Sequence, residues 1–304
     1  MGSLTLAACA MQTPALLRSS QSLPPRAELV DTPYFAQDMH QCGPASLAMA
    51  LGAAGFIATP EALQDQVYIP SRQGSLQDEM LATARRQGAF AMQVKPRMDA
   101  LLAEVASGRP VVILQNLGLS WMPRWHYAVV IGYDLPRQEI LLRSGPNARE
   151  SMAMTTFEHT WARSNFWGML ALAPGQLPVD ADPGAIVSAL AAMEKYAKPA
   201  SMLQAYQRAL ERWPEQVVLQ MGAGNSAYQT GDLSQAEAIF RSMANQHPLN
   251  AAALNNLASV LHAQNRLEEA LLIAEKASGI SGPWQVQAQA TRDAIRNALQ
   301  IGLQ

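Results

Sequence analysis

The feature that most constrains this chain is a spacing of 34 residues in its second half. Pro214 and Pro248 stand 34 apart, and Gly282-Pro283 arrives at the next step. Tyr206, Phe240 and Ala274 share one phase of that period. Met202, Ala236 and Ala270 share a second, and Ala209, Met243 and Ala277 a third. Ala and Leu fill the intervals at helical spacing. A period of this length is one helix–turn–helix unit, which cannot bury its apolar face alone and so stacks on copies of itself. Three in-phase units are expected, over 183–216, 217–250 and 251–284, with Gln285 to Leu299 as a capping helix in a helical region reaching 304.

The best-formed unit reads Gly224…Tyr228-Gln229-Thr230-Gly231-Asp232-Leu233-Ser234-Gln235-Ala236…Phe240…Pro248. It resembles the tetratricopeptide repeat. The small residue near the turn lets the helices close up, and the terminal proline stops the second helix. The resemblance implies an all-α array whose concave groove holds a segment of a protein partner.

The chain has 304 residues, enough for two ordinary domains, and 49% of them are hydrophobic, ample for two cores. Net charge is −2 with no basic run, so nucleic acid is not expected as a partner. No stretch of about 18 apolar residues occurs that would span a membrane as a helix. Pro174-Gly175-Gln176-Leu177-Pro178, followed by Asp180, Asp182 and Pro183, marks a linker over 175–182.

Ahead of it, residues 28–174 mix two periodicities. Cys42 to Leu51 reads as a helix with Pro44 in its first turn and Gly55 beyond its end. Thr59-Pro60-Glu61 opens another helix. Ser75-Leu76-Gln77-Asp78 resembles a capping box for a third that closes at Gly88. Asp99 to Val105 is a fourth. Strands follow over 110–115, 127–133 and 139–143. Helices first and an antiparallel sheet second make an α+β domain.

Cys9 and Cys42 are the only cysteines. Leu6-Ala7-Ala8-Cys9 resembles a bacterial lipobox, after which the Ser/Pro/Arg-rich stretch to Pro25 reads as a tether, so 1–27 is expected to stand apart from the domain. That reading implies a lipid anchor at Cys9, a location on the periplasmic side of the cell envelope, and Cys42 as the remaining thiol.

Cys42 opens the helix that Pro44 promotes, where unpaired N–H groups and the helix dipole favour thiolate. The segment Tyr34-Phe35-Ala36-Gln37-Asp38-Met39-His40-Gln41-Cys42-Gly43-Pro44-Ala45 resembles the active-site segment of the double-glycine leader peptidases, a papain-like family of cysteine peptidases. Carried over by position, Cys42 is the nucleophile and Gln37 the oxyanion donor, acting with the Cys42 backbone N–H. Trp125-His126-Tyr127-Ala128-Val129-Val130-Ile131-Gly132 resembles the family's second motif and lies 84 residues beyond the cysteine, which makes His126 the base. The family's Asp-Pro falls here on Leu142-Arg143-Ser144-Gly145-Pro146-Asn147, with Ser144 in the aspartate position. A serine accepts a hydrogen bond without adding charge, and Asn147 is the alternative orienting group.

The expected architecture is thus an α+β papain-like cysteine peptidase domain followed by an all-α repeat domain, with no cofactor or metal implied. The primary reading is a peptidase cutting after small, Gly-Gly-like residues in a peptide or protein, with the repeats recognising substrate or partner. A catalytically silent protein-binding scaffold and an acyl transferase using the same Cys-His chemistry are the alternatives.

Overall fold

The computed structural model describes residues 11–19, 22–36, 41–72 and 74–302. The chain divides into two compact units, with the boundary between Ala185 and Ile186.

The first unit begins with α1 (Thr13–Ser19) and β1 (Arg26–Glu28), then α2 (Cys42–Ala53), α3 (Pro60–Val67) and α4 (Gln77–Arg86). A two-stranded ribbon of β2 (Tyr68–Ile69) and β3 (Gly74–Ser75) precedes α4. After β4 (Phe90–Gln93) and α5 (Met98–Ala106) come β5 (Val111–Asn116), β6 (Trp125–Asp134), β7 (Glu139–Ser144) and β8 (Asn147–Ala153). The unit closes with α6 (Met154–Ala162) and β9 (Gly168–Leu172). The large sheet has the order β4-β9-β5-β6-β7-β8, and every pairing is antiparallel. β1 takes up the edge of β6 beyond the end of β5, pairing Arg26 with Asp134 and Glu28 with Gly132.

The expected helices are present, and local chemistry accounts for their ends. Thr59 Oγ1 accepts the Ala62 N–H at 3.3 Å and caps α3. Gly55, Gly88 and Gly108 follow α2, α4 and α5 at φ of 88°, 89° and 84°, a left-handed conformation that glycine adopts without Cβ strain. The capping box is a correction. The N-cap of α4 is Leu76, because Ser75 is already paired with Tyr68 in the ribbon.

The hydrophobic pattern shows why α2 is central. Leu47, Ala48, Met49, Ala50 and Leu51 are all buried. They pack with Val112, Tyr127, Val129, Ile131 and Met169 on one face of the sheet.

The tether expected over 1–27 is also corrected where it falls in described residues. Thr13 and Leu16 are buried, and the fully buried Glu158 of α6 accepts the Gln12 N–H, the Thr13 N–H (2.9 Å) and the Thr13 hydroxyl (2.6 Å). Gln12 also accepts the Met98 N–H at 2.8 Å. A buried carboxyl group without partners is costly, so α1 supplies what α6 requires. Cys9 and the rest of the lipobox-like string lie outside the described residues. The 175–182 segment is likewise held down: Val179 N–H donates to Glu104 at 2.6 Å, and Lys95 pairs with Asp180 at 2.5 Å.

The second unit is all helix: α7 (Pro183–Glu194), α8 (Pro199–Arg212), α9 (Val217–Thr230), α10 (Leu233–Gln246), α11 (Ala251–Ala263), α12 (Leu267–Ser278) and α13 (Gln285–Gly302). From α8 onward each helix packs on the next. All nine phase-matched residues, from Met202 to Ala277, are buried. Gly222 and Gly224 lie against aromatic rings: a Cβ at Gly224 would stand 2.6 Å from the Phe240 ring, and one at Gly222 would overlap Tyr206. Glycine at these points is what lets α9 close on its neighbours.

Candidate active site

Cys42 is the first residue of α2, after an N-cap Gln41 that contributes no side-chain cap. Ala45 N–H bonds to Gln41 O at 3.1 Å and starts the helical ladder. Pro44 sits in the first turn, where its missing N–H has no helical partner to lose. Gly43 explains the Cys-Gly pair physically. A Cβ there would overlap Ser75 Oγ and sit 2.6 Å from Ser75 Cβ, so only glycine lets the start of α2 close against β3. Tyr127 joins the same junction, its hydroxyl donating to Ser75 O at 3.1 Å and its ring meeting Trp167 edge-on at 5.7 Å.

The half-buried Cys42 sulfur is approached by the backbone N–H groups of Tyr127, Gly43 and Cys42 itself. Burial nevertheless dominates and raises the thiol above its ordinary value, with those three N–H groups only opposing the rise. The thiolate expected from the helix N-terminus is therefore not the resting form. His126 opens β6 and is shifted the other way: burial pushes its imidazolium below the usual value, Glu150 opposes this and Arg124 adds to it. Near neutral pH the structure thus holds a neutral thiol and a neutral imidazole.

His126 Nε2 and Ser144 Oγ are 3.0 Å apart. Ser144 is buried at the end of β7, and Asn147 is exposed at the start of β8. The two are register partners, and it is Ser144 whose side chain reaches the ring. Nδ1 has no hydrogen-bond partner among the described residues, and no hydrogen bond there joins His126 to Cys42. The backbone relates the two elements: the Tyr127 N–H, one residue beyond His126, lies toward the Cys42 thiol. Side chains alternate across a strand, so His126 shares a face with its register partner Gln115, opposite to Tyr127. Gln115 is buried and donates to Thr160 Oγ1 at 2.6 Å. Its place beside the ring becomes evident only from the register. Gln37, the expected oxyanion donor, lies outside the described residues, as does His40.

Among the described residues no group of three or more His, Cys, Asp or Glu side chains is placed to hold a metal ion. In the helical unit a pocket is lined by Asn225, Tyr228, Asn255, Asn256, Ser259 and Trp284 among others. Asn256 Nδ2 donates to Asn225 Oδ1 at 2.9 Å, and the buried Asn255 Oδ1 has no hydrogen-bond partner among the described residues.

Two protein-family matches agree with this division. Residues 29–169 match the Peptidase_C39 like family, and residues 197–245 and 221–282 match the tetratricopeptide repeat. A crystal structure described as a C39-like peptidase from Bacillus anthracis aligns with 18% identity and a TM-score of 0.42, covering 48% of this chain and 97% of that one. No curated protein sequence matches the chain.

Proposed function

With a Peptidase_C39-like domain joined to tetratricopeptide repeats as its premise, we propose that the protein is a cysteine peptidase acting through Cys42 and His126. The observation that carries this reading is the 3.0 Å contact of Ser144 Oγ with His126 Nε2, on a ring mounted one residue before Tyr127, whose backbone N–H lies toward the Cys42 thiol.

The chemistry follows from the protonation states. With both groups neutral at rest, His126 Nδ1 removes the thiol proton as the sulfur attacks the scissile carbonyl. This requires the tautomer protonated at Nε2, whose N–H then donates to Ser144 Oγ. The Cys42 backbone N–H and the Gln37 amide stabilise the oxyanion. The imidazolium returns its proton to the leaving amine, a thioester remains on Cys42, and water activated by His126 releases the acid. Preference for Gly-Gly-like residues rests on the family resemblance alone.

The asparagine-lined pocket of the repeats suits an extended peptide, since amide side chains can donate to and accept from a main chain. We assign to it recognition of substrate or partner. The Leu6–Cys9 string supports a periplasmic, envelope-attached location.

The decisive experiment is incubation with Gly-Gly-containing and glycine-free peptides, using Cys42→Ala and His126→Ala as controls. Cleavage that both substitutions abolish supports the reading; cleavage surviving Cys42→Ala overturns it. The neutral resting pair and the uncharged Ser144 favour one rival, a silent scaffold. Absence of cleavage of either peptide by protein whose Cys42 is still alkylated by iodoacetamide, and so is accessible, would support the scaffold.

A further inference from the structure

The connection between β5 and β6 is a hairpin whose apolar side chains face outward. Leu117, Leu119, Trp121, Met122 and Trp125 are all exposed, Trp121 at 77% and Trp125 at 53%. Isolated exposed apolar residues are ordinary, but five within nine positions, two of them tryptophan, form a patch that calls for an occupant. The hairpin is also preformed. Leu119 and Met122 exchange both backbone hydrogen bonds, at 3.2 and 3.1 Å, and Leu117 N–H donates to Arg124 O at 2.9 Å. Asn116 Oδ1 accepts the N–H groups of Gly118 and Arg124, both at 2.9 Å. Arg163, the C-cap of α6, donates to the carbonyls of Asn116 and Gly118, at 3.0 and 2.6 Å. Gly118 permits this closure, since a Cβ there would stand 2.9 Å from Arg124 N and overlap Met122 O.

We propose that the tip of the β5–β6 hairpin is a membrane-docking element that enters the headgroup region of an anionic lipid bilayer. Three observations favour lipid over a peptide. The rungs of the hairpin are already bonded within the protein, so its backbone has little left to offer a peptide main chain and little to desolvate in an apolar medium. The apolar side chains crown a two-residue turn, a projecting shape suited to insertion between headgroups, and tryptophan prefers that interfacial depth. Charge agrees: from Asn116 to Tyr133 there is no acidic residue, while Arg124 in the hairpin and the exposed Arg163 at its base carry positive charge. The inference does not depend on Cys9 or on catalysis. Because Trp125 directly precedes His126, docking would hold the candidate site at the bilayer surface.

The test uses the full chain carrying Cys9→Ser, so that no acyl chain contributes. Flotation is measured with vesicles of phosphatidylcholine mixed with phosphatidylglycerol, and with phosphatidylcholine alone. The wild-type hairpin should float with the mixed vesicles and less with the neutral ones. The double substitution Trp121→Ser/Met122→Ser should lower the bound fraction about tenfold or more, as expected for losing a large apolar area. Arg124→Gln should lower it less and weaken its salt dependence. The alkylation rate of Cys42 should be unchanged in the double variant, showing an intact fold. Absence of flotation, or equal flotation of the double variant, overturns the proposal. So does a double variant that floats normally but cleaves a soluble peptide more slowly, which would make the patch a substrate face.

Discussion

Thr13→Val tests whether the N-terminal segment belongs to the first unit. Thr13 is buried, and its hydroxyl donates to the fully buried Glu158 at 2.6 Å. Valine keeps the shape and removes that one donor. Leaving a buried acceptor without its partner costs about 1–3 kcal/mol, and burial keeps solvent away from Glu158. The substitution should therefore cost about 2 kcal/mol. Deleting residues 1–19 removes all three donors to Glu158 along with the buried Leu16, so the cost should rise to about 3–5 kcal/mol, from unsatisfied buried acceptors and lost apolar burial. Pulsed alkylation of Cys42 along a urea gradient, in a Cys9→Ser background, reads the first unit alone. In Thr13→Val/Glu158→Gln the two losses should be less than additive, because the residues share one interaction. If Thr13→Val and the deletion both leave the urea midpoint where it was, α1 is a dispensable tether and the argument from Glu158 fails.

Ser144→Ala should slow turnover about tenfold, or about 1.4 kcal/mol of barrier, and Ser144→Asp should raise the rate if the junction admits a carboxylate. Asn147→Ala should leave kcat within about twofold, since Ser144 is the ring's partner; a large loss on Asn147→Ala alone would reverse that assignment. The acidic limb of kcat/KM should fall below the ordinary histidine value, because catalysis requires neutral His126 and burial lowers its imidazolium pKa. Glu150→Gln should carry that limb to still lower pH, as it removes the charge that opposes the shift; a move upward would mean that another group titrates. Gly224→Ala should destabilise the repeat unit by about 1–3 kcal/mol, read as a lower melting midpoint by circular dichroism, because the new methyl meets the Phe240 ring.

The second unit was legible because its information is local and repeated. One buried position per phase is enough to align three units, and each misread residue is corrected by its two counterparts. In the first unit the helices were legible from caps and glycines, and β5, β6 and β7 from their apolar runs. The remaining strands were not. β8 is polar and largely exposed, β1 is three residues long, and β4 and β9 are short apolar runs that periodicity alone cannot separate from helix. The chain order of Cys42, His126 and Ser144 could be read from the sequence. Their protonation could not, because a dipole is a property of a helix end while desolvation is a property of everything packed around it.

What the sequence determined by itself is therefore the division into an α+β unit and a helical array, with small residues where the repeat helices close; the residues of the candidate site came from a resemblance, and the need for glycine beside Cys42 from its contact with Ser75. Tertiary structure decided the rest. It paired residues 12 and 13 with Glu158 across 146 and 145 positions of chain, chose Ser144 over Asn147 for the ring, and left both Cys42 and His126 neutral. It also left two tryptophans exposed on a hairpin that reads as an ordinary apolar loop. The physical reason is common to all four. Burial and partner choice depend on which distant segments pack together, and a side chain's intrinsic preferences do not carry that information.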